Sequence, residues 1–245
     1  MKIILLSDLH VTPKDKLTNY DFDVNAQFMQ IVQYLKKEAF DLIIILGDVC
    51  YQEPDPVIYD WFFEEIKKLN KPFELISGNH DSSELLINKL NLKTDHSDNK
   101  LLFFEKKLEN KLCLFLDTSE GVITGEQKIW LKNKLSANTE DLIIFMHHPP
   151  CVAGVPFMDT KYPLENCDEV LKLFQSQDYH IDVFTGHYHV DKDLQFDNCH
   201  IHICPSPYFI LNQSTSEFMI EQQVPCFKIL ELDGNDIKFD SVYFK

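Results

Sequence analysis

Residues 3–10 read Ile3-Ile4-Leu5-Leu6-Ser7-Asp8-Leu9-His10, an apolar run that stops abruptly on a carboxylate and an imidazole. A run of this length and composition reads as a buried strand over residues 3–7. The same arrangement recurs four times. Residues 41–46 lead into Gly47-Asp48, residues 73–77 into Gly78-Asn79-His80-Asp81, residues 142–146 into His147-His148-Pro149, and residues 181–185 into Gly186-His187-Tyr188-His189. Between the first three lie apolar stripes at helical spacing, one through Ala26, Phe28, Ile31, Val32 and Leu35 and one through Trp61, Phe62, Ile66 and Leu69 after Pro54 and Pro56. This βαβαβ alternation predicts an α/β fold with a parallel core sheet. Open sheets of that kind gather their working side chains at the carboxyl ends of the strands. Five scattered motifs thereby become one expected site.

The pattern then changes. Residues 101–104 and 111–116 read as adjacent strands, followed by a helix over about residues 126–135. Residues 151–163 hold Gly154, Pro156 and Pro163 and read as an active-site loop ahead of a helix at about residues 165–175. Beyond it the chain reads as strands at 200–204, 208–211, 225–232 and 237–244, with Asp233-Gly234-Asn235 as a turn. This strand-rich end is expected to add to the same core as a second sheet, making residues 1–245 a single domain.

The formal charge of -16 would repel polyanions, which argues against a nucleic-acid polymer or an anionic membrane as partner. All 23 basic side chains are lysines, so the bidentate guanidinium clamp on a phosphate is missing and positive charge must come chiefly from metal. Seven cysteines form no CxxC pair and their number is odd, which favours reduced thiols. The opening apolar run is too short for a signal segment, and no run approaches the roughly 20 residues of a membrane span. A soluble, cytoplasmic protein is the expectation.

Carboxylate oxygens and imidazole nitrogens together suit Mn, Fe or Zn, and a shared carboxylate holds two such ions about 3.5–4 Å apart. Asp48 is the natural bridge. Asp8 and His10 would point the same way in a regular strand, or be brought together by a backbone that turns at the strand end. Asn79 offers a neutral amide oxygen, leaving the ions more positive toward a phosphate anion. His80 is expected to be catalytic, with Asp81 beside it either raising its pKa so that it protonates a leaving alkoxide or simply orienting the loop. His148 is read as a substrate contact or an outer hydrogen bonder. Asp159 is read as a partner for a ribose hydroxyl or for its own backbone. His200 and His202 share a strand face and read as surface or core histidines, and His96 and His180 carry no site signal.

The ordered set D-x-H, G-D, G-N-H-D, H and G-H-x-H, spanning residues 8–189, resembles the calcineurin-like metallophosphoesterases. The resemblance implies a four-layer α/β/β/α sandwich of two mixed sheets flanked by helices. It implies one metal ion on Asp8, His10, Asp48 and His189, a second on Asp48, Asn79, His147 and His187, and His80 next to the scissile phosphate. Within the family the chain is most similar to bacterial class III cyclic nucleotide phosphodiesterases, through Met146-His147-His148-Pro149-Pro150, Phe157-Met158-Asp159, Thr124-Gly125-Glu126-Gln127 and Cys204-Pro205-Ser206-Pro207. It departs from them near its end, where Pro225-Cys226-Phe227-Lys228 stands in place of Pro-Gly-Tyr-Arg. The implied activity is hydrolysis of 3',5'-cyclic nucleotides, cAMP first, to 5'-monophosphates through a metal-bridging hydroxide. Asn79, His80, His148 and Asp159 would meet the substrate. The alternatives are a phosphodiesterase of glycerophosphodiesters or other small diesters, a phosphomonoesterase, or a non-catalytic metal-binding scaffold. Tyr51, spaced like the tyrosine ligand of purple acid phosphatases, is alternatively a rim contact. A homodimer is left open.

Overall fold

The computed structural model describes residues 1–14, 16–234 and 236–244. The expected alternation forms strands Lys2–Leu6 (β1), Leu42–Ile45 (β2) and Phe73–Leu75 (β3), joined by helices Val24–Leu35 (α1) and Pro56–Lys67 (α2). Each helix starts where a side chain satisfies an orphan backbone donor: Asp23 accepts from Ala26 N at α1, and Asp55 accepts from Val57 N at α2, with Pro56 fixing the first turn. β1, β2 and β3 pair in parallel. A further helix, Ser83–Leu90 (α3), follows the Gly78–Asp81 motif, its amino end capped by Ser82. The sequence reading assigns no element there.

The second sheet uses Phe104–Leu108 (β4), Lys111–Leu116 (β5), Leu142–Met146 (β6), Ile181–Thr185 (β7), Lys192–Phe196 (β8) and Cys199–Ile203 (β9), in the order β4-β5-β6-β7-β9-β8. Helices Gly125–Ala137 (α4), Pro156–Lys161 (α5) and Cys167–Gln175 (α6) connect its middle strands. A small ladder of Ile210–Leu211 (β10) and Ile220–Gln222 (β11) precedes the closing hairpin, Cys226–Asp233 (β12) and Asp236–Tyr243 (β13). Asn235, expected in its turn, lies outside the described residues. No described helix is long and apolar enough to cross a membrane.

Two expectations need correction. Of the strands expected at the chain's end only β9 joins the second sheet, and the closing strands β12 and β13 do not. They return to the first, in the order β13-β12-β1-β2-β3, with Ile3 opposite Leu230 and Leu5 opposite Lys228. The parallel crossovers place β2 on one side of β1 and leave its other edge unpaired, and an antiparallel hairpin covers that edge. The second sheet is instead founded by β4 and β5 in the middle of the chain. Residues 101–103 also fall outside the ladder, because Leu102 N–H donates to the Asp117 carboxylate at 2.6 Å and Phe103 N–H to Thr94 Oγ1 at 3.2 Å.

The layers follow from side-chain alternation, which sends successive residues of a strand to opposite faces. Ile3 and Leu5 of β1 join Leu42, Ile44, Phe115, Phe145 and Phe184 in an apolar layer between the two sheets. Ile4 and Leu6 point the other way, onto Phe28, Ile31 and Phe62 of α1 and α2. On the far side of the second sheet, Ile144 and Val183 pack with Leu131, Leu135, Val170 and Phe174 of α4 and α6. Both faces of the central strands are therefore apolar, as parallel strands between helices and another sheet require. The result is the expected four-layer α/β/β/α sandwich, with the carboxyl ends of β1, β2, β3, β6 and β7 at one edge.

A candidate metal centre and its cleft

The five motifs meet at that edge. The backbone leaves the ladder at Leu6 and turns, with Asp8 at φ 52° and His10 at φ 47°. Asp48, His187 and His189 also have positive φ, at 53°, 65° and 52°. The turning backbone, and not a regular strand, brings Asp8 and His10 together. Left-handed geometry at five non-glycine residues carries a conformational cost that the surroundings must offset, and such residues concentrate at functional sites. The turns are tied across the strands: Asp8 N–H donates to Gly47 O at 3.1 Å, His10 N–H to Asp48 O at 3.0 Å, and Gly186 N–H to His147 O at 2.9 Å.

Two clusters of donors result. Asp8, His10 and His189 form one and Asp48, His147 and His187 the other, with His10, Asp48 and His80 grouped across the two, each set offering ligand atoms within 4.8 Å of one another. His10 Nε2 and His189 Nε2 converge to 3.1 Å, and His189 Nε2 lies 3.4 Å from Asp8 Oδ1. The Asp48 Oδ2 atom lies 3.3 Å from His147 Nε2 and 3.7 Å from His10 Nε2, so one carboxylate faces both clusters. Asp48 Oδ1 accepts the His80 backbone N–H at 2.8 Å. Asp8 is fixed by the Ser7 hydroxyl and by His187 N–H at 2.9 Å, and Ser206 Oγ holds its carbonyl at 2.8 Å.

Outer contacts choose which nitrogen each imidazole presents. Leu46 O accepts from His147 Nδ1 at 2.7 Å, and Tyr162 O accepts from His187 Nε2 at 2.9 Å, which leaves His147 Nε2 and His187 Nδ1 for the centre. His147 Nε2 is buried with no hydrogen-bond partner among the described residues. A buried, unpaired nitrogen beside a carboxylate whose other oxygen is anchored fits a metal ligand. The donor set of imidazoles and carboxylates fits Mn, Fe or Zn.

Charge in the cradle is strongly coupled. Burial would raise the Asp8 and Asp48 carboxyls, but the histidines around them hold both well below the usual range. Burial lowers His147, yet Asp48 and Asp8 lift it to about 9. Burial also pushes His10 down to about 3 and His187 down to about 4, keeping those rings neutral and able to ligate.

The cradle forms the floor of a cleft of about 680 Å³. Asn79 lies exposed on its lip. His80 is half-buried beside it, its Nδ1 donating to Gln52 O at 2.8 Å and its Nε2 4.0 Å from Asp48 Oδ2. Above the cradle the walls are aromatic: Tyr20, Tyr51, Phe157, Tyr162, Tyr208, Phe209 and Phe218. Tyr20 and Phe218 stack at 5.3 Å with 21° between their planes, and they are 45% and 38% exposed. Tyr51 Oη accepts from Asn19 N–H at 2.8 Å, which places it on the rim. The sequence reading missed Tyr20, Tyr162, the Tyr208-Phe209 pair and Phe218, which come from distant segments and share no periodicity or motif.

At three positions the geometry favours the structural of the two readings over the functional one. The Asp81 carboxylate does not act on His80. It is buried and accepts from Val49 N at 3.2 Å, Cys50 N at 3.3 Å, Gly78 N at 3.1 Å and Tyr59 Oη at 3.0 Å, knitting the second and third motif loops together. Burial and the nearby Asp48 push it up to about 6. Asp81→Ala strands those donors, so it should cost about 3–5 kcal/mol of unfolding free energy in a urea titration; a loss under about 1 kcal/mol would contradict the anchor role. His148 does not reach the cleft. It is buried behind His187, with ring centroids 4.0 Å apart, and its Nδ1 meets Thr118 Oγ1 at 2.9 Å. Asp159 turns into its own loop, accepting from Ala153 N at 2.8 Å and Val155 N at 2.7 Å, and is not aimed at a ribose.

Two donor clusters that share one carboxylate, at the base of an open cleft, define a metal-dependent hydrolase of phosphoric esters. The chain belongs to the calcineurin-like phosphoesterase family, which matches it over residues 1–191 and whose members bind two metal ions. It is similar to a "Probable cyclic nucleotide phosphodiesterase" of Fibrobacter succinogenes, 27% identical over 244 residues that span 100% of this chain and 94% of that protein. It is also similar to the 3',5'-cyclic adenosine monophosphate phosphodiesterase CpdA of Escherichia coli strain K12, 26% identical over 96% of this chain and 86% of that one. Among solved structures, a dimetal phosphatase from Danio rerio shares the fold, with a TM-score of 0.71 at 13% identity, covering 98% of this chain and 95% of its own.

Proposed function

We propose that the protein hydrolyses 3',5'-cyclic nucleotides, cAMP first, to 5'-monophosphates in the cytoplasm. The observation that carries this reading is the cleft itself, whose floor is the donor cradle and whose walls are aromatic. Lysine is absent from the described residues that line it. With no fixed cation there, a phosphate must be held through the cradle, while the aromatic walls suit a planar base. A glycerol headgroup would leave those walls unused.

Asp8, His10, Asp48 and His189 would hold one ion, and Asp48, Asn79, His147 and His187 the other. The ions supply polarisation of the phosphoryl oxygens and a water acidified toward a pKa of about 7. The protein then orients the ester and manages the proton. His80 Nδ1 is held by Gln52 O, so in the imidazolium form the second proton sits on Nε2, facing the cleft. As water oxygen adds to phosphorus and the bond from phosphorus to the 3'-oxygen breaks, Nε2 passes its proton to that oxygen. The neutral ring keeps its bond to Gln52.

The test is a panel of cAMP, cGMP, glycerophosphodiesters, bis(p-nitrophenyl) phosphate and monoesters, run on protein of measured metal content. Hydrolysis of the p-nitrophenyl diester without turnover of either cyclic nucleotide would sink the substrate reading. Phe218→Ala removes one face of the aromatic wall. Stacking of a base on an aromatic ring contributes about 1–3 kcal/mol, so kcat/KM for cAMP should fall roughly 5- to 150-fold while both ions stay bound. A change under about twofold would mean the base does not rest there.

A further inference from the structure

The second sheet carries another group of metal-binding side chains, away from the cleft. Asp182 of β7 and His200 of β9 are direct partners across the two parallel strands, and His180 folds back just before β7 begins. His180 Nε2 lies 3.1 Å from Asp182 Oδ2, and the rings of His180 and His200 meet edge to face at 4.4 Å. One ligand atom from each of the three falls within 4.8 Å of the others. They line a recess of about 260 Å³ with Asp141, Asp236 and Lys111, whose ammonium is turned to Asp141 at 3.8 Å. The Gly186–His189 motif follows the carboxyl end of β7, whereas this group sits at the amino ends of β7 and β9, about 13 Å away along four residues of extended chain.

We propose that His180, Asp182 and His200 bind a third divalent transition-metal ion, of the borderline type that imidazole prefers, such as Zn2+, Co2+, Ni2+ or Cu2+. The carboxylate is already set for it. His202, buried between the sheets, bonds Asp182 Oδ1 through Nε2 at 2.9 Å and Asp193 Oδ1 through Nδ1 at 2.8 Å. That carboxylate–imidazole–carboxylate chain fixes the plane of Asp182 and leaves Oδ2 facing the two histidines, as outer contacts orient ligands in metal sites. Asp193 is in turn paired with buried Lys228, whose Nζ lies 3.5 Å away. Two imidazole nitrogens and one carboxylate oxygen leave positions open toward solvent, where His180 is a third exposed, so an ion has a path in and water completes its shell. The bound ion would pin β7 to β9 at their starts.

The experiment is equilibrium dialysis of the intact protein against micromolar Zn2+ or Co2+, followed by metal analysis. The wild type is expected to hold three ions per chain, and His200→Gln and His180→Gln two each. Neither residue lines the catalytic cleft, so both variants should keep the diester turnover of the wild type, which marks the lost ion as the one at the strand starts. Both positions are partly exposed, and the two substitutions report independently should one fail to fold. Equal stoichiometry in the wild type and the variants overturns the proposal, whatever substrate the catalytic cleft takes.

Discussion

Asp48→Asn is expected to lower diester turnover by about a thousandfold or more and to leave the protein with at most one of its two catalytic ions. The substitution is nearly isosteric, and asparagine can still accept the His80 backbone N–H that Asp48 Oδ1 accepts at 2.8 Å. The loop geometry should therefore survive. What disappears is the anionic Oδ2 that faces His147 at 3.3 Å and His10 at 3.7 Å, closer to both rings than Asp8 Oδ1, which lies 3.9 Å from His147 and 4.0 Å from His10. The neighbouring histidines hold Asp48 ionised against the cost of burial, so its charge is built into the cradle. Loss of a cation that stabilises a transition state costs several kcal/mol, and each 1.36 kcal/mol is about a factor of ten. His80→Ala provides the contrast. It should keep both ions and lose roughly a hundredfold or more in turnover, because its ring lines the cleft with Nε2 4.0 Å from Asp48 Oδ2, within reach of a leaving ester oxygen. Metal analysis beside bis(p-nitrophenyl) phosphate turnover separates the two, and a fully metallated Asp48→Asn protein would contradict the bridge.

How far the sequence reveals this site depends on how each residue is used. The motif residues stand where apolar strands stop, so strand order alone brings them to one edge. Asp8, His10, Asp48, His147, His187 and His189 converge there as the spacing implies. Asp81, His148 and Asp159 show the opposite case. Their residue types suit chemistry, yet their polar atoms are occupied by Val49 N, Thr118 Oγ1 and Ala153 N, and no sequence pattern distinguishes a carboxylate aimed at a ligand from one aimed at its own loop. The aromatic wall was not legible because Tyr20 and Phe218 meet only through the tertiary fold. The closing hairpin reads clearly as two strands, but which sheet it joins depends on which edge the earlier crossovers leave unpaired. His180 and His200 looked unremarkable for the same reason: their partner Asp182 is set beside His200 by the register of β7 on β9.

Gly186→Ala tests how closely the two sheets must approach to build the cradle. The motif glycine brings β7's exit against the turn after β1, and a methyl group there would overlap the Ser7 hydroxyl and the Asp8 carboxylate. Neither neighbour has room to move, since Ser7 and Asp8 are both buried and Asp8 is held by His187 N–H at 2.9 Å. Overpacking of this kind costs about 1–3 kcal/mol, and a displacement of about 1 Å in a positioned group can cost a hundredfold in rate. Gly186→Ala is therefore expected to fold with reduced stability, to lose about a hundredfold or more in turnover, and to bind the ion of the Asp8 cluster more weakly than the other. Adding Ser7→Ala removes the hydroxyl nearest the new methyl, so the double variant should regain part of the lost stability. It should not regain turnover, because the methyl still meets the Asp8 carboxylate and that carboxylate has lost its serine partner. Denaturant titration and metal analysis on the single and double variants measure both effects. Full activity in Gly186→Ala would mean that the Asp8 turn can yield to the methyl without disturbing the centre.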